Sequence, residues 1–311
     1  MTWFDVSGTI ALVVLLGLWI GTFASARAAG PAFRDVPKAA WIALAAIVLA
    51  DILLVQQLAP HTVWHSFNHG IRRVAEIRDG LDAPDLAQLH GHGYFVLMNA
   101  LYHRIAFGAV SLFSLTWFVS VASGVLAFLL AWLHTSRASV ALVAAVLMAV
   151  LPLRLRVGAS EDMFVVLEFY LLATLVLLSL YSRTGKARFW HLALAALFLW
   201  MQTRAEALVL APLTVAAWVV LRDPGAVAGL VRREGRGRLA GLAVLIAASV
   251  PWVIAAFETR DHRIASTPLS LLSRPMPLGA LDGPFFDPSA TPIPFLVAFI
   301  AGMVALAVRD R

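Results

Sequence analysis

Long apolar runs recur along almost the whole chain, separated by short polar breaks. The runs are Gly8–Ala26, Ala39–Ala59, Ala106–Leu133, Ser139–Leu153, Met163–Tyr181, Trp190–Gln202, Ala205–Leu221, Leu239–Phe257 and Ile293–Val308. A helix needs about 20 apolar residues to cross hydrocarbon, and a run without strand alternation must satisfy its backbone as helix. The pattern therefore predicts an all-α, polytopic integral membrane bundle of about nine spans. Ser139–Leu153 and Trp190–Gln202 are short, so they borrow flanking residues or enter the membrane partway. The composition points the same way: 61% of the 311 residues are hydrophobic and 14% charged, against about 45–50% and about 25% in soluble domains.

One stretch breaks the pattern. Pro60–Gly93 holds five of the nine histidines (His61, His65, His69, His90 and His92) and four acids (Glu76, Asp79, Asp82 and Asp85). Within it, Val63, Phe67, Ile71, Val74 and Ile77 recur at helical spacing, which predicts an amphipathic helix in the interface, closed by Gly80. A second polar, Pro-rich stretch spans 258–292. Its length and lack of periodicity predict a loop that covers a substrate or moves freely.

Charge gives orientation. A net charge of +6 in a soluble protein would suggest nucleic acid; here positive residues in cytoplasmic loops account for it, and no nucleic-acid partner is expected. Alternate connections carry Arg27, Arg34 and Lys38; Arg137; Arg183, Lys186 and Arg188; Arg222, Arg232, Arg233, Arg236 and Arg238; then Arg309 and Arg311, which is 14 of the 24 basic residues. The bias places the N-terminus outside and the C-terminus inside, the parity that nine spans require. Residues 60–93, 154–162, 203–206 and 258–292 then face outward. The start, MTWFDVSG, has no basic region of a cleavable signal, so the first run is expected to stay as a span. Without cysteine, neither disulfides nor thiolate metal sites are available.

Two stretches carry a family resemblance. Leu197–Leu221 reads LFLWMQTRAEALVLAPLTVAAWVVL, with a turn of Thr203, Arg204, Ala205 and Glu206 and a following apolar helix containing Pro212. Ahead of it, Glu161 and Asp162 open a long span that ends in a short basic loop before an aromatic residue. Both resemble the membrane core of the GT-C glycosyltransferases. The first polar loop is also similar, with an amphipathic helix ending at Gly80 and His90 at the entry to the next span. The resemblance covers roughly residues 39–260. It implies a GT-C-like core over 39–311, with outer loops 60–93 and 258–292, preceded by an extra helix and basic inner loop over 1–38. The chain departs from the family where acids usually follow the first core span. It has His65, Ser66, Phe67, Asn68 and His69 there, and Gly91-His92-Gly93 where the family often has a Pro-Pro pair.

That resemblance implies transfer of a sugar from a polyprenyl-phosphate donor to an extracytoplasmic acceptor, in a bacterial inner membrane with the active face outside. A carboxylate must deprotonate the acceptor and cations must hold the phosphate. Asp51, charged within a span, is the first candidate base and Asp79 the second. Glu168 is a further acid inside an apolar run. Arg204, Arg154, Arg156 and Arg263 are phosphate candidates, since a guanidinium grips phosphate as a fork; anchoring at headgroup level is the plainer role for each. Glu206, close to Arg204, is a further substrate-binding candidate; an ion pair that closes the helix N-terminus is its plainer role. His65, His69, His90 and His92 are candidates for acceptor contact. His65, His69 and His90 also form a candidate divalent-metal set, though imidazoles in an interfacial loop more often meet headgroups or backbone. Two other readings stay open: a transporter or membrane scaffold of the same fold, and a histidine-metal membrane enzyme.

Overall fold

The computed structural model describes residues 3–57, 109–151, 155, 164–203, 207, 211, 213, 214 and 235–258. These residues form helices and turns, and no strand occurs among them. The helices are α1 (Trp3–Ala29), extended by a 3-10 turn over Gly30–Phe33, α2 (Lys38–Gln57), α3 (Ala109–Thr135), α4 (Ala138–Val150), α5 (Phe164–Thr184), α6 (Ala187–Met201) and α7 (Gly235–Glu258). Each coincides with a predicted apolar run. The predicted runs Ala205–Leu221 and Ile293–Val308 lie wholly or largely outside the described residues.

Among the described residues, three helices are long and apolar enough to cross a membrane: Val6–Phe33, Thr116–Thr135 and Val165–Thr184. Ala138–Val150 and Ala187–Met201 are shorter apolar helices, as the run lengths predict. At 1.5 Å per residue they reach only about 20 Å. The apolar helices are those of a membrane protein. Leu12, Val13, Leu16, Ile20 and Phe23 on α1 stand exposed, a pattern that water would penalise and hydrocarbon accepts. Helix also extends into the predicted basic loop: Pro31, in the first turn of the 3-10 segment, has the fixed φ that suits it.

α6 is the hub. Its side chains from Phe189 to Trp200 are buried almost without interruption, because α1, α5 and α7 all pack around it. A helix that is apolar on every side needs such company. α5 in turn packs on α3, and α2 packs on α3 and α4. One core cluster runs through α1, α3, α5, α6 and α7. A second joins Val36, Ala40 and Leu44 at α2 to Phe128, Trp132, Ala141 and Ala145. Small side chains on α4 (Ala141, Ala145, Ala149) let its backbone come close to its partners.

Two helix connections share one construction. In Thr135-Ser136-Arg137 the Thr hydroxyl donates to Ala131 O at 2.8 Å and accepts from the Arg137 amide at 3.2 Å. In Thr184-Gly185-Lys186 the Thr hydroxyl donates to Leu180 O at 2.7 Å and accepts from the Lys186 amide at 3.4 Å. The middle residue is left-handed in both, with φ of 52° at Ser136 and 66° at Gly185. Both turns lie at one end of the bundle, together with the Gly30–Phe33 turn. Lys186 Nζ donates to Ala28 O at 3.4 Å, and Trp132 Nε1 to Ala32 O at 3.2 Å. That end, the basic end of the bundle, carries Arg27, Arg34, Lys38, Arg137, Arg183, Lys186 and Arg188, with Asp35 as its one acid among the described residues.

Candidate functional site

Of the residues expected to carry chemistry, Asp51 falls within the described part. Asp79, Arg154, Arg156, Arg204, Glu206, Arg263, His65, His69, His90 and His92 lie outside the described residues. Among the described residues, no group of three or more His, Asp or Glu is placed to hold a metal ion; His65, His69 and His90 are not among those residues.

Asp51 is 3% exposed. It lies on the face of α2 that carries Ala40 and Leu44, the face buried against α3 and α4. The carboxylate is not isolated, since Asp51 has an interaction partner, and so does the half-buried Glu168 on α5. An acid in this setting must be paired or face a polar space, because hydrocarbon does not solvate it.

Side-chain contacts between neighbouring helices fix the axial level of each polar residue. Trp41 stacks on Phe128 at 5.5 Å, His134 Nε2 meets Ser179 Oγ at 3.0 Å, and Tyr181 stacks on Trp190 at 5.7 Å. Gly21 abuts Leu192, and Gly241 abuts His191 and Leu194. Stepping along each helix from these contacts at 1.5 Å per residue places Asp51 level with residue 118 of α3, and Glu168 level with Ser123 of α3 and Thr203 beyond α6. Trp252 of α7 reaches the level of Thr203, and Ser7 of α1 lies one helical turn further from the basic end.

A layer of buried polar residues on the order of 10 Å thick results, at the end opposite the basic turns. It comprises Ser7, Asp51, Thr116, Ser120, Ser123, Gln202 and Thr203, all buried, and includes most of the buried polar residues in the described part. Ser123 Oγ donates to Val119 O and Thr203 Oγ1 to Leu199 O. Other polar atoms here have no partner among the described residues: Ser7 Oγ, both ends of the Gln202 amide, and the indole nitrogens of Trp117, Trp200 and Trp252. A buried donor or acceptor left unmatched costs about 1–3 kcal/mol, so several in one layer mark a place shaped for polar company.

Thr203, the first residue of the Thr-Arg-Ala-Glu stretch, belongs to this layer; Arg204 and Glu206 follow it in sequence and lie outside the described residues. A sequence reading passes over Thr116, Ser120 and Ser123, since hydroxyls within an apolar helix satisfy themselves on their own backbone. Their spacing of i, i+4 and i+7 on one face is the signal that marks them. Gln202 is the more telling residue. It sits between an apolar helix and a charged turn, and its two polar ends are both buried.

Comparison with protein-family models, with curated proteins and with solved structures finds no match.

Proposed function

We propose that the chain is a membrane glycosyltransferase that moves a sugar from a polyprenyl-phosphate donor to an acceptor outside the cytoplasm, in a bacterial inner membrane. One observation carries this reading: a buried polar layer, containing Asp51, at the end of the bundle opposite the basic turns. Positive residues favour the cytoplasmic side, so the layer belongs to the outer half of the membrane, where a flipped lipid-linked sugar presents its headgroup. The Thr-Arg-Ala-Glu turn and the amphipathic character of Pro60–Gly93 support it from sequence.

In this reading Asp51 takes the proton of the acceptor hydroxyl as that oxygen attacks the anomeric carbon. The bond to the donor phosphate breaks, and Arg204 holds the departing lipid phosphate. Gln202 and the buried hydroxyls offer hydrogen bonds to the sugar, which no apolar wall could supply. Asp79, Arg154, Arg156 and Arg263 are further candidates for donor and acceptor contact, and the GT-C-like core with about nine spans is the architecture proposed around them. The test is transfer by purified protein from polyprenyl-phosphate sugars. Asp51→Asn should lower the rate by about 10²–10⁴ while donor binding persists. Failure to bind or consume any such donor, with Asp51→Asn silent in cells, rejects the proposal.

A transporter for a polar solute is the second reading, favoured by the short helices α4 and α6, which resemble the half-helices that frame a midplane site. Proteoliposomes separate the two. Solute flux without turnover of a lipid-linked sugar selects transport.

A further inference from the structure

α1 makes its main helix contacts with α6 and α7. It stands away from α3 and α5, and a cavity of about 530 Å³ fills the gap. The cavity is walled by apolar side chains, with only Thr22 and Ser25 offering hydroxyls. Along α5 it runs from Phe169 to Leu180, about 16 Å parallel to the helix axes. Phe23, which lines it, is 87% exposed, and Trp19 is also exposed, so the cavity opens sideways to whatever surrounds the bundle. A water occupies about 30 Å³ of liquid; an apolar space many times that size, open to hydrocarbon, takes up chain rather than water.

The cavity also has a charged end. Its walls there are the sequence neighbours of cations: Ala26 adjoins Arg27, Phe33 adjoins Arg34, and Phe189 adjoins Arg188. These three arginines are exposed. Asp35 is the one acid at this end in the described part, against at least seven cations. A slot for one hydrocarbon chain therefore ends among guanidinium groups that want an anion.

We infer that the cleft between α1 and the α3–α5 pair binds one anionic phospholipid, with an acyl chain in the cavity and its phosphate held at the basic end by Arg27, Arg34 and Arg188. This site is separate from the buried polar layer and does not depend on glycosyl transfer. By the positive-inside bias it draws its lipid from the cytoplasmic leaflet.

The experiment reconstitutes the full chain in nanodiscs of equal phosphatidylglycerol and phosphatidylcholine, releases it into mild detergent, and counts retained lipids by native mass spectrometry. Phosphatidylglycerol should be retained at least tenfold over phosphatidylcholine. The combined change Arg27→Gln, Arg34→Gln and Arg188→Gln should abolish that preference, and the matching Arg→Lys set should keep it, which separates charge from folding. Ala26→Phe, at an exposed wall position, should fill the slot and lower retention of both lipids. Equal retention of the two lipids by the unaltered chain overturns the inference. So does a preference that survives the Gln set, which would put the phosphate elsewhere, or retention unchanged by Ala26→Phe.

Discussion

Arg183 Nη2 donates to Ser136 Oγ at 3.2 Å, so the guanidinium just before one helix turn holds the left-handed residue of the other. The two turns are built alike but filled differently, with Gly185 in one and Ser136 in the other. A left-handed residue with a Cβ costs about 1–2 kcal/mol. Gly185→Ala should lower stability by about 1 kcal/mol. Ser136→Gly should raise it by about 0.5 kcal/mol, since relief of strain outweighs an exposed hydrogen bond and added chain entropy. Thermal unfolding of the purified protein in one detergent would rank the pair; the opposite order would show that the Arg183 contact dominates.

The indole of Trp132 reaches across to the carbonyl of Ala32 and belongs to the cluster joining α2, α3 and α4. Trp132→Phe keeps most of the apolar volume and removes the donor. A loss of about 1 kcal/mol is expected, with Trp132→Ala costing about 3–5 kcal/mol through the cavity it leaves. Denaturant titration measures both, and a similar loss in the two variants would mean that the hydrogen bond outweighs packing.

Gln202 separates a structural from a functional explanation of the buried polar layer. Its amide is buried without a partner among the described residues. Gln202→Leu should therefore raise stability by about 1–3 kcal/mol, while transfer activity falls. A variant both more stable and fully active would show that the amide has no part in the reaction.

Close approach at Gly241 lets α7 lie against α6. A Cβ there would stand 2.9 Å from His191 Nδ1 and 3.1 Å from Leu194 Cδ1. Gly241→Ala is absorbed by a small shift of His191, but Gly241→Leu forces the helices apart, at about 1–3 kcal/mol. Gly237, with open space around its position, is the control. Equal effects of Leu at the two sites would refute tight packing at Gly241.

Helix existence was legible because each described helix is an apolar run of helical length, and Asp51 stood out because a charge inside such a run is costly. Arrangement was not legible. In a bilayer, lipid tails are as apolar as Leu, so hydropathy does not distinguish the exposed Ile20 of α1 from the buried Leu199 of α6. Nor does it show that Ser7, Ser123 and Gln202, far apart in sequence, share one level. That depends on helix register, set by contacts such as Trp41 with Phe128 and Tyr181 with Trp190. The start of α1 at Trp3, ahead of the predicted Gly8, follows the same rule: Asp5 and Ser7 interrupt the apolar run without interrupting the helix.

The partners of α1 also set the timing of assembly. It is the first of the described helices to be made, and α6 and α7 follow it by more than 150 residues. At about 5–20 residues per second, α1 waits on the order of ten seconds for these two neighbours. Its lipid-compatible surface lets it stay inserted alone through that interval, while α2 to α4 meet one another as soon as they are made. Late capture of α1 would then be the step that completes the hub, and a chain stalled before α6 should leave α1 in the membrane but undocked.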